Sequence, residues 1–302
     1  MRTRRIGSLE VSVVGVGCNN FGRRLDAAET ARVVDAALDA GINFFDTADT
    51  YGKTNSEVFL GRAIASRRQD VVIATKFGMD VDEERQGAHP DYVLRAADDS
   101  LRRLGVDVID LYQLHTPDPR VPIADTLGAL DELVRAGKVR EIGCSNFSAE
   151  QLREARRAAG DRARFVSVQN EYSLLHRTPE RDGVLDECAA QHVAFLPYFP
   201  LANGLLTGKY RRGLPAPAGR LAESWNGGKI DDTKLDTAER LIAFAESRGH
   251  TVLELAFSWL LAHEPVASVI AGATRVEQIA ANASAANWVL TDAELEELDH
   301  IT

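Results

Sequence analysis

Apolar residues along this chain fall into two alternating kinds of run. The short kind is rich in Val, Ile and Phe: "VVGVGC", "INFFDTA", "VVIATK", "VIDLYQLH", "VREIGCSN", "FVSVQNE", "VAFLPYFP" and "VASVIAGA". Each has the length and composition of a strand. Between them lie longer segments such as "LDAAETARVVDAALDA", "PDYVLRAADDSLRRLG", "PIADTLGALDELVRAG" and "SAEQLREARRAAG", with apolar residues at helical spacing and Gly or Ala-Gly endings. Such alternation predicts a parallel sheet wrapped by helices, since parallel neighbours need a crossover long enough to hold a helix. Eight strand-like runs predict an α/β fold, a (β/α)8 TIM barrel, as a single domain over residues 1–302. A β-hairpin in "RRIGSLEVSV" precedes it.

The rival arrangement is an open doubly wound sheet. Its dinucleotide fingerprint fails here, because "GVGCNNFG" has Asn20 where the third glycine belongs and opens a loop rather than a helix. One connection differs from the rest. After the seventh run the chain travels from Leu201 to about Asp232 through a Gly- and Pro-rich loop, a length that usually marks a lid or binding loop. A flap over the barrel mouth is expected.

Composition narrows the field further. The net charge of −10 with scattered Lys and Arg gives no basic stripe for nucleic acid. No apolar run is long enough to span a bilayer, and the N-terminus lacks a signal-peptide core, so a cytoplasmic protein without membrane partners is expected. Cys18, Cys144 and Cys188 have neither metal-ligand spacing nor a secreted disulfide pattern and read as reduced packing thiols.

Chemistry in a barrel of this type sits at the C-terminal ends of the strands. Those ends are polar here. The second run delivers Asp46 and, just beyond, Tyr51; the third ends in Lys76 and the fourth in His115. Ser145 and Asn146 close the fifth, Gln169 and Asn170 the sixth, and Tyr198 the seventh. A closed barrel converges them on one mouth. A free tyrosine, with a pKa of about 10, is a weak acid near neutrality, and a neighbouring ammonium lowers that value. Lys76 can supply the ammonium, Asp46 can hold it, and His115 can orient a substrate oxygen towards Tyr51. Two donors aimed at one oxygen suit a carbonyl becoming an alkoxide. Asp49 reads as the cap of the turn that presents the phenol.

These residues resemble the aldo-keto reductase superfamily, over essentially the whole chain. "GINFFDTADTYG", "ATKFG", "DLYQLHTPD", "IGCSNF", "VQNEYSLL" and "PYFPLANGLLTGKY" look like the family's second- to seventh-strand signatures, in order, and "VIAGATRVEQIAANASA" like its 2′-phosphate and adenine segment. The resemblance implies NADPH/NADP+-dependent, metal-free reduction of a small aldehyde or ketone, with Asp46, Tyr51, Lys76 and His115 as the catalytic tetrad. It also implies that Ser145, Asn146 and Gln169 bind the nicotinamide carboxamide and that Tyr198 stacks on its ring. Pro200, Leu201, Ala202 and Asn203, with Lys209 and Arg220, match the pyrophosphate flap. Gly272, Thr274, Arg275 and Gln278 match the 2′-phosphate site, and Asn282 the adenine contact.

Departures matter as well. Gly17, Cys18 and Asn19, at the cofactor-binding turn after the first strand, stand where many members have Gly-Thr-Trp, removing an aromatic wall of the substrate pocket. Gly272 and Ala281 replace a Lys and an acid found in some branches. In lacking a long C-terminal tail the chain looks like the bacterial branches and the potassium-channel β subunits, although the latter carry Asn where this chain has His115. Two further readings remain open at this point: an NADP(H)-binding redox sensor acting on a partner, and a lyase using Lys76 as a Schiff base.

Overall fold

The computed structural model describes residues 1–213 and 231–302. Two short strands, β1 (Thr3–Ile6) and β2 (Leu9–Ser12), pair antiparallel with Ile6 opposite Leu9. Eight parallel strands follow: β3 (Val14–Gly17), β4 (Phe44–Asp46), β5 (Val72–Phe77), β6 (Ile109–Leu114), β7 (Val139–Ser145), β8 (Phe165–Glu171), β9 (Ala194–Tyr198) and β10 (Val269–Gly272). Each overlaps one of the runs read from the sequence. From β3 to β9 they pair in chain order, and β10 pairs with β3. The barrel closes through the segment just before β10, where Phe195 N donates to the Pro265 carbonyl at 2.6 Å and Ala267 N to the Phe195 carbonyl at 3.0 Å. No reversal of strand order exists, so the doubly wound alternative is excluded.

The helices are α1 (Ala27–Asp39), α2 (Asn55–Ile64), α3 (Pro90–Leu104), α4 (Ile123–Arg135), α5 (Ala149–Ala159), α6 (Thr178–Arg181) and α7 (Val184–Gln191) before the long connection. After it come α8 (Asp232–Glu246), α9 (Val252–Ala262), α10 (Val276–Ala285) and α11 (Asp292–Ile301). Their starts are written locally. Asp26 with Glu29, Ser148 with Gln151, Thr251 with Glu254 and Thr291 with Glu294 form reciprocal capping boxes on α1, α5, α9 and α11. Gly105, left-handed with φ 65°, ends α3.

The hairpin lies across the N-terminal end of the barrel. Ile6, Leu9 and Val11 pack with Phe44, Val72, Leu111 and Ile270 in a buried cluster. At the opposite end the backbone is strained. Among the described residues six of the seven non-glycine residues with positive φ, Lys53, Thr54, Asn146, Phe199, Ala202 and Asn203, follow the C-terminal ends of strands, while the seventh, His192, ends α7. Strain gathered at one end of a barrel marks the working end.

The predicted flap is only partly in view. Ala202–Thr207 forms a short 3₁₀ turn after β9, α8 starts at Asp232, and residues 214–230, including Arg220, lie outside the described residues. Among the described residues, no helix is long and apolar enough to cross a membrane.

Candidate active site

Strands β4, β5 and β6 run side by side, with Asp46 level with Ala74 and Lys76 level with Gln113. Alternation along each strand turns Asp46, Lys76 and Gln113 into the barrel, where Lys76 and Gln113 have no exposure. Lys76 Nζ donates to Asp46 Oδ2 at 2.6 Å and to the Thr47 carbonyl at 3.0 Å. The other oxygen of Asp46 accepts from Gln169 Nε2 at 2.9 Å and Gln113 Nε2 at 3.2 Å. Three side-chain donors therefore saturate one carboxylate, the condition under which a buried ion pair is tolerated. Gly143 makes room for this: a β-carbon there would lie 2.3 Å from Ser167 Oγ and 3.2 Å from Gln113 Cγ.

Tyr51 leaves the end of β4 on a 3₁₀ turn, Tyr51–Thr54. Gly52 holds this turn in the left-handed region at φ 57°, and a β-carbon there would lie 2.4 Å from the Phe21 carbonyl. The phenol is half-buried, with Lys76 Nζ 5.2 Å from its ring centroid. The His115 ring meets it edge-on, with centroids 5.8 Å apart and planes at 77°. The four side chains read from separate strand ends thus meet at one place.

One expectation is corrected here. Lys76 does pull the Tyr51 acidity in the anticipated direction, but burial pushes the other way and more strongly, and the Asp46 charge adds to it, so the phenol lies above its ordinary value. Burial likewise pulls Lys76 down, yet Asp46 and then Tyr51 outweigh it and leave the ammonium above the usual lysine value. His115 is pushed down to about 3 by burial and then by the Lys76 charge. Its Nδ1 has no partner, while its carbonyl accepts from Asn146 Nδ2 at 2.9 Å. In the resting site the phenol is protonated, the lysine charged and the histidine neutral.

Around this centre stand the residues expected to hold a cofactor. Ser145 Oγ donates to the Gln169 carbonyl at 2.6 Å, and Tyr198 OH to Asn146 Oδ1 at 2.9 Å, which ties the ring at the end of β9 to the end of β7. Asn146 is exposed in a left-handed conformation, and Asn170 has a buried Oδ1 without a partner. Gly17 sits level with Asp46 at the end of β3. Cys18 is fully buried, its sulfur 3.6 Å from the Val16 carbonyl and its thiol pushed well up by burial, and its main chain is taken up by the Asp46 carbonyl and the Ser56 hydroxyl. Cys144 and Cys188 are also free and buried. Asn19 Oδ1 is buried and partnerless. Leu201, Ala202 and Asn203 follow the buried Pro200, with the Leu201 carbonyl accepting from Gly204 N at 2.8 Å.

Beyond β10, Gly272 and Arg275 are exposed, Thr274 and Gln278 half-buried, and Asn282 buried. Gln278 Oε1 folds back to accept from Thr274 N at 2.7 Å, and Arg275 is the N-cap residue of α10. The Lys209 ammonium lies below its usual value, because of partial burial and then the charges of Arg24 and Arg275. The charges of Arg24 and Arg275 both act on Lys209, and Arg275 stands at the start of α10, a setting that favours an anion.

Sequence reasoning missed three features. Arg24 belongs to the cationic edge, and its only signal is a second basic residue in "FGRRLD". Gln113 shares a strand face with His115, and a polar residue at an interior barrel position was the available clue. A buried charged cluster behind Tyr51, containing Asp49, Glu57 and Arg103, had no motif at all.

A parallel eight-stranded barrel with a buried lysine–carboxylate pair beside a tyrosine at its mouth is an enzyme-like framework, and sequence comparison narrows the class. Residues 13–302 match the Aldo/keto reductase family. The chain is 32% identical over 297 residues to the L-glyceraldehyde 3-phosphate reductase of Escherichia coli O157:H7, covering 93% of this chain and 86% of that one. It is 33% identical over 310 residues to the aldo-keto reductase yakc [NADP(+)] of Schizosaccharomyces pombe, covering 98% and 90%. The solved structure of the glycerol dehydrogenase AKR11B4 from Gluconobacter oxydans superposes with a TM-score of 0.86 at 32% identity, covering 99% of this chain and 94% of that one. The chain belongs to the aldo/keto reductase family. Membership supports oxidoreductase activity.

Proposed function

We propose that this protein reduces aldehydes and ketones to alcohols with NADPH, reversibly, with Tyr51 as the proton donor. The observation that carries the reading is the Lys76 ammonium, fully buried, 2.6 Å from Asp46 and 5.2 Å from the Tyr51 ring centroid. A raised phenol pKa keeps Tyr51 loaded with its proton at rest. As a carbonyl carbon accepts hydride its oxygen becomes basic, takes the Tyr51 proton, and leaves a phenolate that the adjacent ammonium stabilises. In the oxidative direction that phenolate is the base. Neutral His115 hydrogen-bonds the same oxygen and sets its approach to Tyr51.

When bound, the nicotinamide supplies the hydride. Ser145, Asn146 and Gln169 would hold its carboxamide and Tyr198 would pack on its ring, while Arg24, Lys209 and the start of α10 offer charge to its phosphates. Thr274, Arg275 and Gln278 would take the 2′-phosphate and Asn282 the adenine. The NADP(+) in the name of the fission-yeast relative agrees with this choice. A Schiff-base role for Lys76 is disfavoured, because that chemistry needs a lysine pushed down rather than up.

NADPH consumption with a panel of small aldehydes and ketones tests the reading. Wild type should turn over several, whereas Tyr51→Phe should still bind NADPH and lose about 10²–10⁴-fold in kcat. NADPH binding without turnover would favour the sensor reading instead. For the cofactor, Arg275→Ala should weaken NADPH by about tenfold or more and leave NADH nearly unchanged; an equal loss for both rejects the 2′-phosphate assignment.

A further inference from the structure

Behind the tyrosine turn, on the helix side of the same strands, a second buried cluster takes no part in the reaction above. Glu57 on α2 has no exposure, and Asp49, two residues before Tyr51, is 2% exposed. Glu57 is well matched: Oε1 accepts from Thr75 Oγ1 at 2.6 Å and Oε2 from Arg103 Nε at 2.6 Å, and Arg103 also reaches Ser100 Oγ at 3.1 Å. Asp49 is not. Its Oδ2 accepts from Tyr92 OH at 3.4 Å, while Oδ1 is buried without a partner. The groups facing it are Glu57 from α2, Tyr92 and Arg103 from α3, and Tyr112 from β6, whose hydroxyl is buried and partnerless too. From β5 the link is through the main chain, Asp49 N donating to the Lys76 carbonyl at 3.1 Å.

Two carboxyls therefore share one guanidinium in a dry layer, and Glu57 holds it. Like charges in such a site cannot both ionise cheaply. Burial, then the Glu57 charge, push Asp49 up to about 7. Its main chain and side chain meanwhile brace the segment that carries the phenol. Lys76 fixes one side, through the Asp49 N–H and through its own Nζ bond to the Thr47 carbonyl. The Asp49 carboxylate fixes the other, through Tyr92.

We propose that Asp49 is a positioning residue for Tyr51, whose ionised carboxylate ties the segment before the tyrosine turn to Tyr92 on α3 and whose protonation loosens it. The proposal rests on the reading of Tyr51 as the acid. Hydrogen bonds to a carboxylate are about twice as strong as those to a neutral acceptor, so a proton on Asp49 weakens the tie to Tyr92. The effect travels through geometry and leaves the cofactor contacts alone.

Measuring kcat against pH at saturating NADPH and substrate tests it. Wild type should lose several-fold in kcat as pH falls through about 7, with NADPH affinity unchanged. Asp49→Asn should abolish this acid limb. Tyr92→Phe removes a hydrogen bond that stabilises the carboxylate and should move the limb to higher pH. A second readout is independent of turnover: the infrared band of a protonated carboxyl, present at about pH 6 and lost by about pH 8 in wild type, should be missing from Asp49→Asn. An acid limb unchanged in Asp49→Asn, or a kcat in that variant that stays at the wild type's high-pH plateau throughout, overturns the proposal. Turnover without a titrating band overturns it alone; a titrating band in a wild type with no turnover overturns the reaction assigned to Tyr51 instead.

Discussion

The two faces of β4 and β5 carry two buried ionic clusters of opposite design. Inside the barrel, Asp46 and Lys76 form one acid and one cation, and the acid has two further amide donors. On the helix side, Asp49 and Glu57 face a single Arg103, and one carboxyl oxygen has no partner. Balance leaves the inner ammonium above its usual value despite its burial. Imbalance makes the outer cluster responsive. Alternation on β5 turns Lys76 inward to one cluster and Thr75 outward to the other, while a loop and two helices supply the outer charges.

Four substitutions or titrations break the comparison in order of expected size. Tyr51→Phe should reduce kcat by about 10²–10⁴-fold while the thermal midpoint barely moves, since only a hydroxyl at the mouth is lost; a small kinetic effect would detach the inner cluster from the chemistry. Lys76→Met and Arg103→Met each strip the cation from a buried acid and should each destabilise by about 3–5 kcal/mol in denaturant unfolding. Only the inner variant should also abolish turnover at permissive temperature, and equal kinetic losses would erase the distinction between the clusters.

The third test is the pH dependence of stability. Asp49 has a folded value of about 7, above its unfolded value of about 3.9, so between them the native state holds the proton that the unfolded chain has released. Its stabilising contribution is complete below about 4, declines as pH rises, and is gone above about 7. The decline should vanish in Asp49→Asn, read from thermal midpoints at a series of pH values. Smallest is Gln113→Leu, which removes one of the three side-chain donors to Asp46 and should cost about 1–2 kcal/mol; no measurable loss would mean that Lys76 and Gln169 suffice.

The inner cluster was legible in the sequence because strand periodicity and strand ends point to a fixed place in a barrel. Asp46, Lys76 and His115 close strand-like runs, and Tyr51 follows one within a turn. The outer cluster had no such anchor. Glu57 and Arg103 sit on the inward faces of α2 and α3, where a helical pattern shows only that a polar residue interrupts an apolar stripe. Asp49 was expected to cap a turn; the structure buries it instead, because the chain after β4 continues along β5 through the Asp49 N–H. The direction of the Tyr51 shift was also invisible, since burial competes with the Lys76 charge and only coordinates reveal which is larger. Tyr198 and Asn146 were expected at the barrel mouth from the sequence, but their mutual hydrogen bond accompanies a left-handed backbone at Asn146 that no motif encodes.

The hairpin that lies across the far end of the barrel turns the interior into a cul-de-sac. Ile6, Leu9 and Val11 close the floor against Phe44, Val72 and Ile270, and the Arg4 guanidinium bolts the plug to the Leu261 and Val266 carbonyls. Among the described residues this floor is closed, so a molecule bound at the Tyr51 end would arrive and depart through the mouth. Whatever lies deepest is then the last to leave, and the traffic of reactants is a queue imposed by the architecture itself.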